Sequence, residues 1–244
     1  MKKNRVLILG DGMLGTNLQH QSGWEILSRR ESGFDITDKE TYHLMTKVEF
    51  GAIQYCDYDV IVNTIACTDT YASDKSLHWS VNYKGVSDLV DFCNRWKIKL
   101  VHIVTDYIYA NSKPGATEED VPVHCRNWYG YTKLLGDAHV QLKSNNYLLI
   151  RSTHKPEPFK YDKAWVNQIG NFDYVSKISK LMIDLIEKDG QGIYNLGTEV
   201  KTMYELAKRT KSNVEPEFKL LDNTTPDNLV MDVTKLNKKL KGVK

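Results

Sequence analysis

Tyr129 and Lys133 are the pair whose residue types and spacing most clearly allow chemistry. They stand four positions apart in "YGYTK", and residues four apart share one face of a helix. A lysine ammonium beside a phenol favours the phenolate and lowers the pKa of the tyrosine from about 10. Such a tyrosine exchanges a proton with a carbonyl or an alcohol near neutral pH. Taken alone, the same spacing is also typical of an exposed polar helix face.

Thr105 ends the apolar stretch "KLVHIVT", upstream of this pair. Ligands of a doubly wound sheet bind at the carboxyl ends of its strands. A hydroxyl at that position can hold a substrate oxygen beside Tyr129. The alternative is a helix cap or a threonine present for its strand propensity.

A third feature, the glycine loop "LGDGMLG", follows the first apolar stretch, "RVLIL". Gly10, Gly12 and Gly15 have the spacing of a dinucleotide-binding turn, followed by a helical pattern. In such a turn the first glycine makes the bend, the second lets the backbone approach a pyrophosphate, and the third lets helix and strand pack closely. The amides at the helix start then bind the phosphates. The alternative is a glycine turn that binds nothing.

Cofactor choice is expected at the end of the second strand, where the sequence reads "SRRES". An acidic residue there favours the ribose of NAD, whereas arginine forks match a 2′-phosphate. Arg29 and Arg30 therefore predict NADPH, and Glu31 leaves NADH as the alternative.

Apolar stretches alternate with helical patterns over the first 153 residues. The predicted strands are 5–9, 24–29, 59–66, 99–105 and 146–153, and the predicted helices are 13–21, 36–50 (capped by Thr37 or Asp38), 80–96 and 128–143. Apolar strands separated by helices indicate a parallel sheet covered on both faces. The predicted fold is therefore α/β, a doubly wound Rossmann-type parallel sheet.

The pattern loosens after residue 153. We expect a loop over 154–165, a helix over 173–188, a strand over 192–197, a helix over 202–209 capped by Thr202, a strand over 213–222 and a solvated basic helix end or tail over 235–244. This organisation predicts an NAD(P)-binding Rossmann domain over 1–153 and a small C-terminal substrate-binding lobe over 154–244, whose segments can interleave with the sheet.

Composition excludes several classes of protein. The net charge of the 244-residue chain is +2, which argues against a nucleic-acid partner or an anionic membrane surface. No apolar stretch approaches the length of a membrane span. Cys56, Cys67, Cys93 and Cys125 have no metal-site spacing, so we expect reduced thiols, no metal and a cytoplasmic location.

The glycine loop, Thr105 at a strand end and the Tyr129–Lys133 pair, in this order along the chain, are together more specific than any one of them alone. With "ILGDGMLG", "FDITD", "DVIVNTIACT", "IVTDYIYA" and "YGYTKLLGD", residues 5–153 resemble the extended short-chain dehydrogenase/reductase superfamily. Within it, the chain is similar to the dTDP-4-dehydrorhamnose reductases and related sugar-nucleotide reductases. The resemblance implies NADPH-dependent reduction of the 4-keto group of a nucleotide-activated deoxysugar. A homodimer is an assembly that the superfamily often forms.

The resemblance also implies roles for individual residues. The catalytic residues would be Thr105, Tyr129 and Lys133. The cofactor-binding residues would be Gly10, Gly12, Met13, Leu14, Gly15, Arg29, Arg30, Asp35, Ile36, Asn63, Thr64, Ile65, Ala66, Tyr129 and Lys133. The substrate-binding residues would be Thr68, Asp106, Tyr107, Arg151 and His154. Arg151, Lys155 and Lys160 are candidates for contact with the substrate diphosphate.

Some positions depart from the family pattern. The first glycine gap is one residue shorter than usual, and His154 stands where rhamnose reductases tend to carry tryptophan.

Two alternative functions stay open at this point. One is a sugar-nucleotide epimerase, dehydratase or bifunctional epimerase-reductase, although Tyr107 stands where epimerase-reductases carry cysteine. The other is a non-catalytic NADP-binding regulatory subunit.

Overall fold

The structure, a computed structural model, describes residues 4–49, 53–110, 112–120, 127–220 and 225–242. Its strands are β1 (Val6–Leu9), β2 (Glu25–Leu27), β3 (Lys47–Glu49), β4 (Ile53–Tyr55), β5 (Val60–Asn63), β6 (Lys99–Val104), β7 (Tyr147–Arg151), β8 (His154–Lys155), β9 (Lys163–Trp165), β10 (Ile169–Gly170), β11 (Asp173–Tyr174), β12 (Gly192–Asn195), β13 (Lys201–Thr202), β14 (Glu215–Glu217) and β15 (Asn228–Leu229).

The helices lie between these strands. They are α1 (Met13–Ser22), α2 (Arg29–Ser32), α3 (Lys75–His78), α4 (Val86–Trp96), α5 (Trp128–Lys143), α6 (Val175–Glu187), α7 (Met203–Lys208) and α8 (Thr234–Lys241). A π-helical segment, Trp79–Gly85, joins α3 to α4, and 3₁₀ helices span Lys39–Met45 and Asp106–Tyr109.

A six-stranded sheet with the order β12-β7-β6-β5-β1-β2 forms the centre of the molecule. All of its neighbouring strands run parallel. The predicted doubly wound α/β fold is therefore confirmed. The strand order turns back between β1 and β5, which is the place where such sheets bind ligands.

Residues of β1 face two separate cores. Leu7 and Leu9 pack with Leu89 of α4, while Ile8 packs with Leu18 of α1 and Ile178 of α6. Both faces of the strand are buried, which explains why its sequence is apolar without interruption. The same burial fixes the ends of β1 and β5, from which the site is built.

The predicted helix over 36–50 is wrong in type and extent. Asp38 caps a 3₁₀ helix that ends at Met45, and Thr46 is already extended. The chain then forms β3, which pairs antiparallel with β4. Thr46 and Val48 are β-branched, and such residues fit an extended strand better than a helix. Phe50 lies outside the described residues.

The second strand is shorter than predicted. It ends at Leu27, and Ser28 then caps the one-turn helix α2 by accepting a hydrogen bond from the Glu31 amide at 3.1 Å. Arg29 and Arg30 consequently lie in a helix rather than at a strand end. The helix predicted over 80–96 begins earlier, at α3, because Asp74 caps it.

The chain after residue 153 returns to the central sheet. It contributes β12 at the sheet edge and α6, which packs with α1 on one face. The predicted loop over 154–165 contains β8 and β9. A domain boundary at residue 153 stays a prediction.

A small apolar core of its own holds the C-terminal lobe together, built around Phe172, Leu206 and Leu229. The predicted helix cap at Thr202 is confirmed, with Glu205 completing a capping box. The strand predicted over 213–222 is reduced to β14, and residues 221–222 lie outside the described residues.

Two further observations concern the state of the cysteines and the length of the helices. Cys56, Cys67 and Cys93 are free thiols, and Cys125 lies outside the described residues. Among the helices of the described ranges, none is both long and apolar enough to cross a membrane.

Candidate active site

The glycine loop lies where the strand order turns back, between the ends of β1 and β5. Gly10 has a φ of +99°, which is costly for any residue with a Cβ. A Cβ on Gly15 would lie 1.9 Å from the Gly10 carbonyl oxygen. Only glycine at position 15 therefore lets α1 approach the loop this closely. The Thr64 hydroxyl donates to the Leu9 carbonyl at 2.8 Å and ties the end of β5 to this turn.

Gly12 is open where Gly15 is closed. A Cβ added to Gly12 would have no protein atom within 4 Å, and Gly12 lines a cavity. It is also the N-terminal cap of α1 and provides no side-chain hydrogen bond, so the first amides of α1 lack the usual capping partner. An open approach to uncapped helix amides fits the diphosphate of a dinucleotide.

That cavity, of about 400 Å³, unites most of the predicted site residues. From the predicted set it is lined by Gly12, Met13, Leu14, Gly15, Thr64, Ala66, Thr68, Thr105, Tyr107, Tyr129, Lys133 and His154. Residues distant in sequence meet there because they all follow carboxyl ends of strands or lie at the start of a helix. We call this space the cofactor cavity.

Tyr129 and Lys133 lie on the first turns of α5. Asn127 caps this helix by accepting a hydrogen bond from the Gly130 amide at 2.7 Å, which fixes the start of α5 one residue before Tyr129. The Tyr129 ring packs edge-on against Tyr107, with ring centroids 5.8 Å apart. The helix start and the aromatic contact together orient the Tyr129 ring at the cavity wall.

Lys133 links α5 to β6. Its Nζ donates to the Ile103 carbonyl at 2.6 Å, and the residue is only 2% exposed. Burial lowers the pKa of Lys133 to about 7, since a buried ammonium is poorly solvated. The protonation of Lys133 is therefore sensitive to pH in the neutral range.

This burial predicts a specific pH dependence of stability. The folded pKa lies below the ordinary value of 10.5, so the unfolded chain binds more protons between pH 7 and 10.5. The Lys133 contribution to the free energy of unfolding is therefore least favourable below pH 7 and improves as pH rises through that window. We expect a slope for this contribution of up to about 1.4 kcal/mol per pH unit.

Denaturant unfolding of wild type and of Lys133→Met at successive pH values measures this contribution. The variant should lose the rise with pH, whereas Lys143→Met, an exposed lysine of the same helix, should follow the wild type. Equal slopes for wild type and Lys133→Met would contradict the expectation.

Thr105 directly follows β6, is 2% exposed and lines the cofactor cavity. It accepts a hydrogen bond from the Tyr107 amide at 3.2 Å and donates to Oδ1 of Asp106 at 3.3 Å. The second contact is long for a bond between a hydroxyl and a carboxylate. The Thr105 hydroxyl is therefore held in place but can turn to another acceptor at low cost.

Asp106, predicted as a substrate contact, is fully buried and does not line the cofactor cavity. Its Oδ1 accepts hydrogen bonds from Thr153 and Thr105. Burial raises the pKa of its carboxyl. The structure therefore gives Asp106 a role in holding the two threonines rather than a direct contact.

Arg151, also predicted as a substrate contact, is 1% exposed and does not line the cofactor cavity. Its guanidinium forms two hydrogen bonds with the Asp137 carboxylate of α5, at 3.0 and 3.1 Å. It also donates to the Tyr109 hydroxyl at 2.5 Å. We assign Arg151 a structural role, because its donors are used to fasten α5 to β7.

Further predicted residues shape the site without lining it. Asn63 is buried, and its Oδ1 accepts a hydrogen bond from the Ile65 amide at 3.0 Å. Ile36 is a core residue, 2% exposed. The predicted residues outside the cavity wall are Gly10, Arg29, Arg30, Asp35, Ile36, Asn63, Ile65, Asp106 and Arg151.

The arginines after β2 pair with acidic residues near the glycine loop. Arg30 forms an ion pair with Asp11 at 2.8 Å, and Arg29 forms one with Asp35. Both guanidinium side chains are about two-thirds exposed or more, at 68% and 74%. Exposed pairs of this kind contribute little, about 0–1 kcal/mol, so either arginine can exchange its partner for a stronger anion.

His154 lines the cavity as a neutral imidazole. Burial, with a smaller effect of neighbouring Lys155, lowers its pKa to about 4. It therefore provides a hydrogen-bonding group and not a charge at neutral pH.

Sequence reasoning missed several wall residues. Thr70 and Thr153 line the cofactor cavity, as do Ile103 and Val104 of β6. Thr70 lies two positions after the predicted residue Thr68, in the same stretch that follows β5, and this nearness in sequence was the available signal.

A second cavity of about 440 Å³ adjoins the first. It shares Thr70, Tyr107 and Lys155 with the cofactor cavity. The rest of its wall lies mostly in the C-terminal lobe and includes four aromatic side chains, those of Tyr71, Phe159, Tyr161 and Trp165. We call it the aromatic cavity.

Comparison with known proteins points to one family. The family model described as the RmlD substrate binding domain matches residues 4–154. The chain is 25% identical to the spore coat polysaccharide biosynthesis protein SpsK of Bacillus subtilis, over 91% of this chain and 84% of that protein. It is 29% identical to a dTDP-4-dehydrorhamnose reductase of Aggregatibacter actinomycetemcomitans, over 61% of this chain and 51% of that protein. The matched part thus spans about half of the curated reductases.

Solved structures share the fold. A dTDP-4-dehydrorhamnose reductase of Bacillus anthracis in complex with NADP matches with a TM-score of 0.76 and 20% identity, covering 100% of this chain and 97% of that one. WbmG of Bordetella bronchiseptica in complex with NAD and UDP matches with a TM-score of 0.75 and 17% identity, over 98% and 89%. At these identities the likeness shows the fold alone.

Proposed function

The chain belongs to the RmlD substrate-binding-domain family, and on that premise we propose that it reduces the 4-keto group of a nucleotide-activated deoxysugar with NADPH. One observation carries the proposal. A single cavity is lined by the glycine loop together with Thr105, Tyr129 and Lys133. A carbonyl reductase needs a dinucleotide-binding site and a proton donor in the same cavity.

The residues present fit a dinucleotide. The first amides of α1, beside Gly12 and Gly15, would bind its diphosphate, and the loop of Thr64 and Ala66 after β5 would lie beside it. When bound, the reduced nicotinamide supplies the hydride for the keto carbon.

Tyr129 is the proposed proton donor to the keto oxygen. Thr105 would turn its hydroxyl from Asp106 to that same oxygen and hold it beside Tyr129. Lys133 would favour the phenolate left on Tyr129 through its positive charge. Its contact with Ile103 uses one of three ammonium protons, which leaves donors for the cofactor ribose.

The arginines after β2 give the proposed preference for NADPH. Arg30→Ala, and in the same way Arg29→Ala, should raise the Kd for NADPH about ten-fold and leave that for NADH nearly unchanged, because a guanidinium binds the 2′-phosphate that only NADPH carries. Fluorescence titration with both cofactors measures this. Arg95→Ala, an exposed arginine of α4, is the control. Equal weakening of both cofactors would contradict the assigned role.

A direct assay tests the function. Purified protein is mixed with NADPH and a panel of 4-keto sugar nucleotides, and NADPH consumption is followed with product analysis. The proposal expects consumption matched by a reduced sugar. Turnover by protein that carries bound NAD and consumes no NADPH would indicate an epimerase or dehydratase. A protein that turns over no keto sugar nucleotide, and that copurifies with another protein in a fixed ratio, would instead be a regulatory subunit.

A further inference from the structure

Lys155 stands at the junction of the two cavities. The aromatic and cofactor cavities share three residues, Thr70, Tyr107 and Lys155, and Lys155 is the charged one among them. It is half-buried in β8, which pairs with β11 of the lobe. A ligand that extends from one cavity into the other would therefore lie beside this shared wall.

Lysines line these cavities at three positions, and two already have polar partners. Lys133 donates to the Ile103 carbonyl, and Lys163 forms an ion pair with Glu217 at 3.5 Å. For the side chain of Lys155, no hydrogen bond or ion pair is found among the described residues, although its backbone pairs with β11. Its Nζ lies 6.0 Å from the centre of the Phe172 ring.

A partly desolvated cation without a polar partner is costly unless a ligand supplies an anion. Burial lowers the pKa of Lys155, and the charge of the buried Asp106 carboxylate opposes this effect through its field. No ion pair joins the two side chains among the described residues. The charge of Lys155 is thus available to the cavity junction.

The aromatic cavity suits the other end of a sugar nucleotide. The side chains of Tyr71, Phe159, Tyr161 and Trp165 offer flat apolar faces on which a base can stack. Under the proposed function, the sugar would lie in the cofactor cavity beside Tyr129. The group between base and sugar is a diphosphate, and the junction lies between the two cavities.

We propose that Lys155 binds the diphosphate of the nucleotide sugar, with Thr70 and Tyr107 of the shared wall beside it. This inference rests on the proposed function and narrows the three sequence candidates to one. Arg151 is engaged with Asp137 inside the protein, and Lys160 is exposed and lines neither cavity. Lys155 thereby acts in substrate selection and not in the proton transfer.

Calorimetric titration of the full chain, saturated with NADP⁺, tests the proposal with dTDP and UDP as probes. Lys155→Met should weaken the better-bound diphosphate about 10–100-fold, as expected for loss of a charge-assisted hydrogen bond. Thymidine or uridine without phosphates should bind the variant as it binds wild type, and the Kd for NADP⁺ should not change. Lys155→Arg should recover most of the affinity.

Lys160→Met is the matched control and should bind the diphosphates like wild type. Circular dichroism and thermal unfolding check that Lys155→Met is folded. Undiminished diphosphate binding by a folded Lys155→Met would overturn the role of Lys155 and leave the reductase proposal intact. Wild-type protein that binds neither diphosphate and reduces no keto sugar nucleotide would overturn both.

Discussion

Tyr129→Phe should lower the turnover of a 4-keto sugar nucleotide by about 10²–10⁴-fold while NADPH binds with unchanged affinity. The substitution removes the hydroxyl that we expect to donate the proton, and a positioned acid contributes a factor of this size. The ring stays, so its edge-on contact with Tyr107 can persist. Steady-state kinetics and a fluorescence titration of NADPH give the two quantities.

Tyr131→Phe provides the matched control. Tyr131 lies on the same helix, in contact with Trp128, and does not line the cofactor cavity. It should retain nearly all turnover. Unchanged turnover in Tyr129→Phe would remove Tyr129 from the catalytic role, and equal losses in both variants would indicate a general disturbance of α5.

Two substitutions in the glycine loop should both weaken NADPH binding but should differ in their effect on the stability of the fold. In Gly15→Ala the new Cβ would lie 1.9 Å from the Gly10 carbonyl oxygen and 2.8 Å from the Thr64 hydroxyl. Backbone must move to relieve this overlap, so we expect a destabilisation of about 2 kcal/mol or more and loss of NADPH binding. In Gly12→Ala the new Cβ meets no protein atom within 4 Å, so the fold should keep its stability.

The two variants therefore separate the fold from the ligand. Gly12→Ala should unfold at the wild-type temperature without cofactor but bind NADPH at least about ten-fold more weakly, because a side chain obstructs backbone approach to a diphosphate. Thermal unfolding with and without NADPH measures both effects. A Gly12→Ala protein with wild-type affinity would indicate that the diphosphate binds elsewhere.

Much of the central sheet could be predicted because parallel strands buried on both faces leave an uninterrupted apolar signal. The chain after 153 was harder to assign. Its β12 is the sixth strand of the central sheet, yet its sequence is separated from β7 by most of the short strands of the lobe. The 3₁₀ helix over Lys39–Met45 was predicted as part of an α-helix because its apolar spacing fits both types.

A location at the cavity wall was predictable for Thr105, which follows a strand, and for Tyr129, which lies at the start of a helix. The ion pair between Arg151 and Asp137 of α5 could not be predicted, because it depends on how α5 packs against β7. The same limit applies to Asp106, whose partner Thr153 follows a different strand. Lys155 and Lys160 are the same residue type, and only the fold separates them, because Lys155 lies in β8 at the cavity wall and Lys160 does not.

Transfer of deuterium from the nicotinamide tests the proposed reduction. A 4-keto sugar nucleotide is incubated with the protein and with NADPH carrying deuterium at the transferable position of nicotinamide C4, and the product is examined by mass spectrometry and NMR. Hydride transfer to the keto carbon predicts one deuterium at C4 of the sugar for each NADPH oxidised. A product altered at the sugar with no deuterium and no net oxidation of NADPH would contradict it.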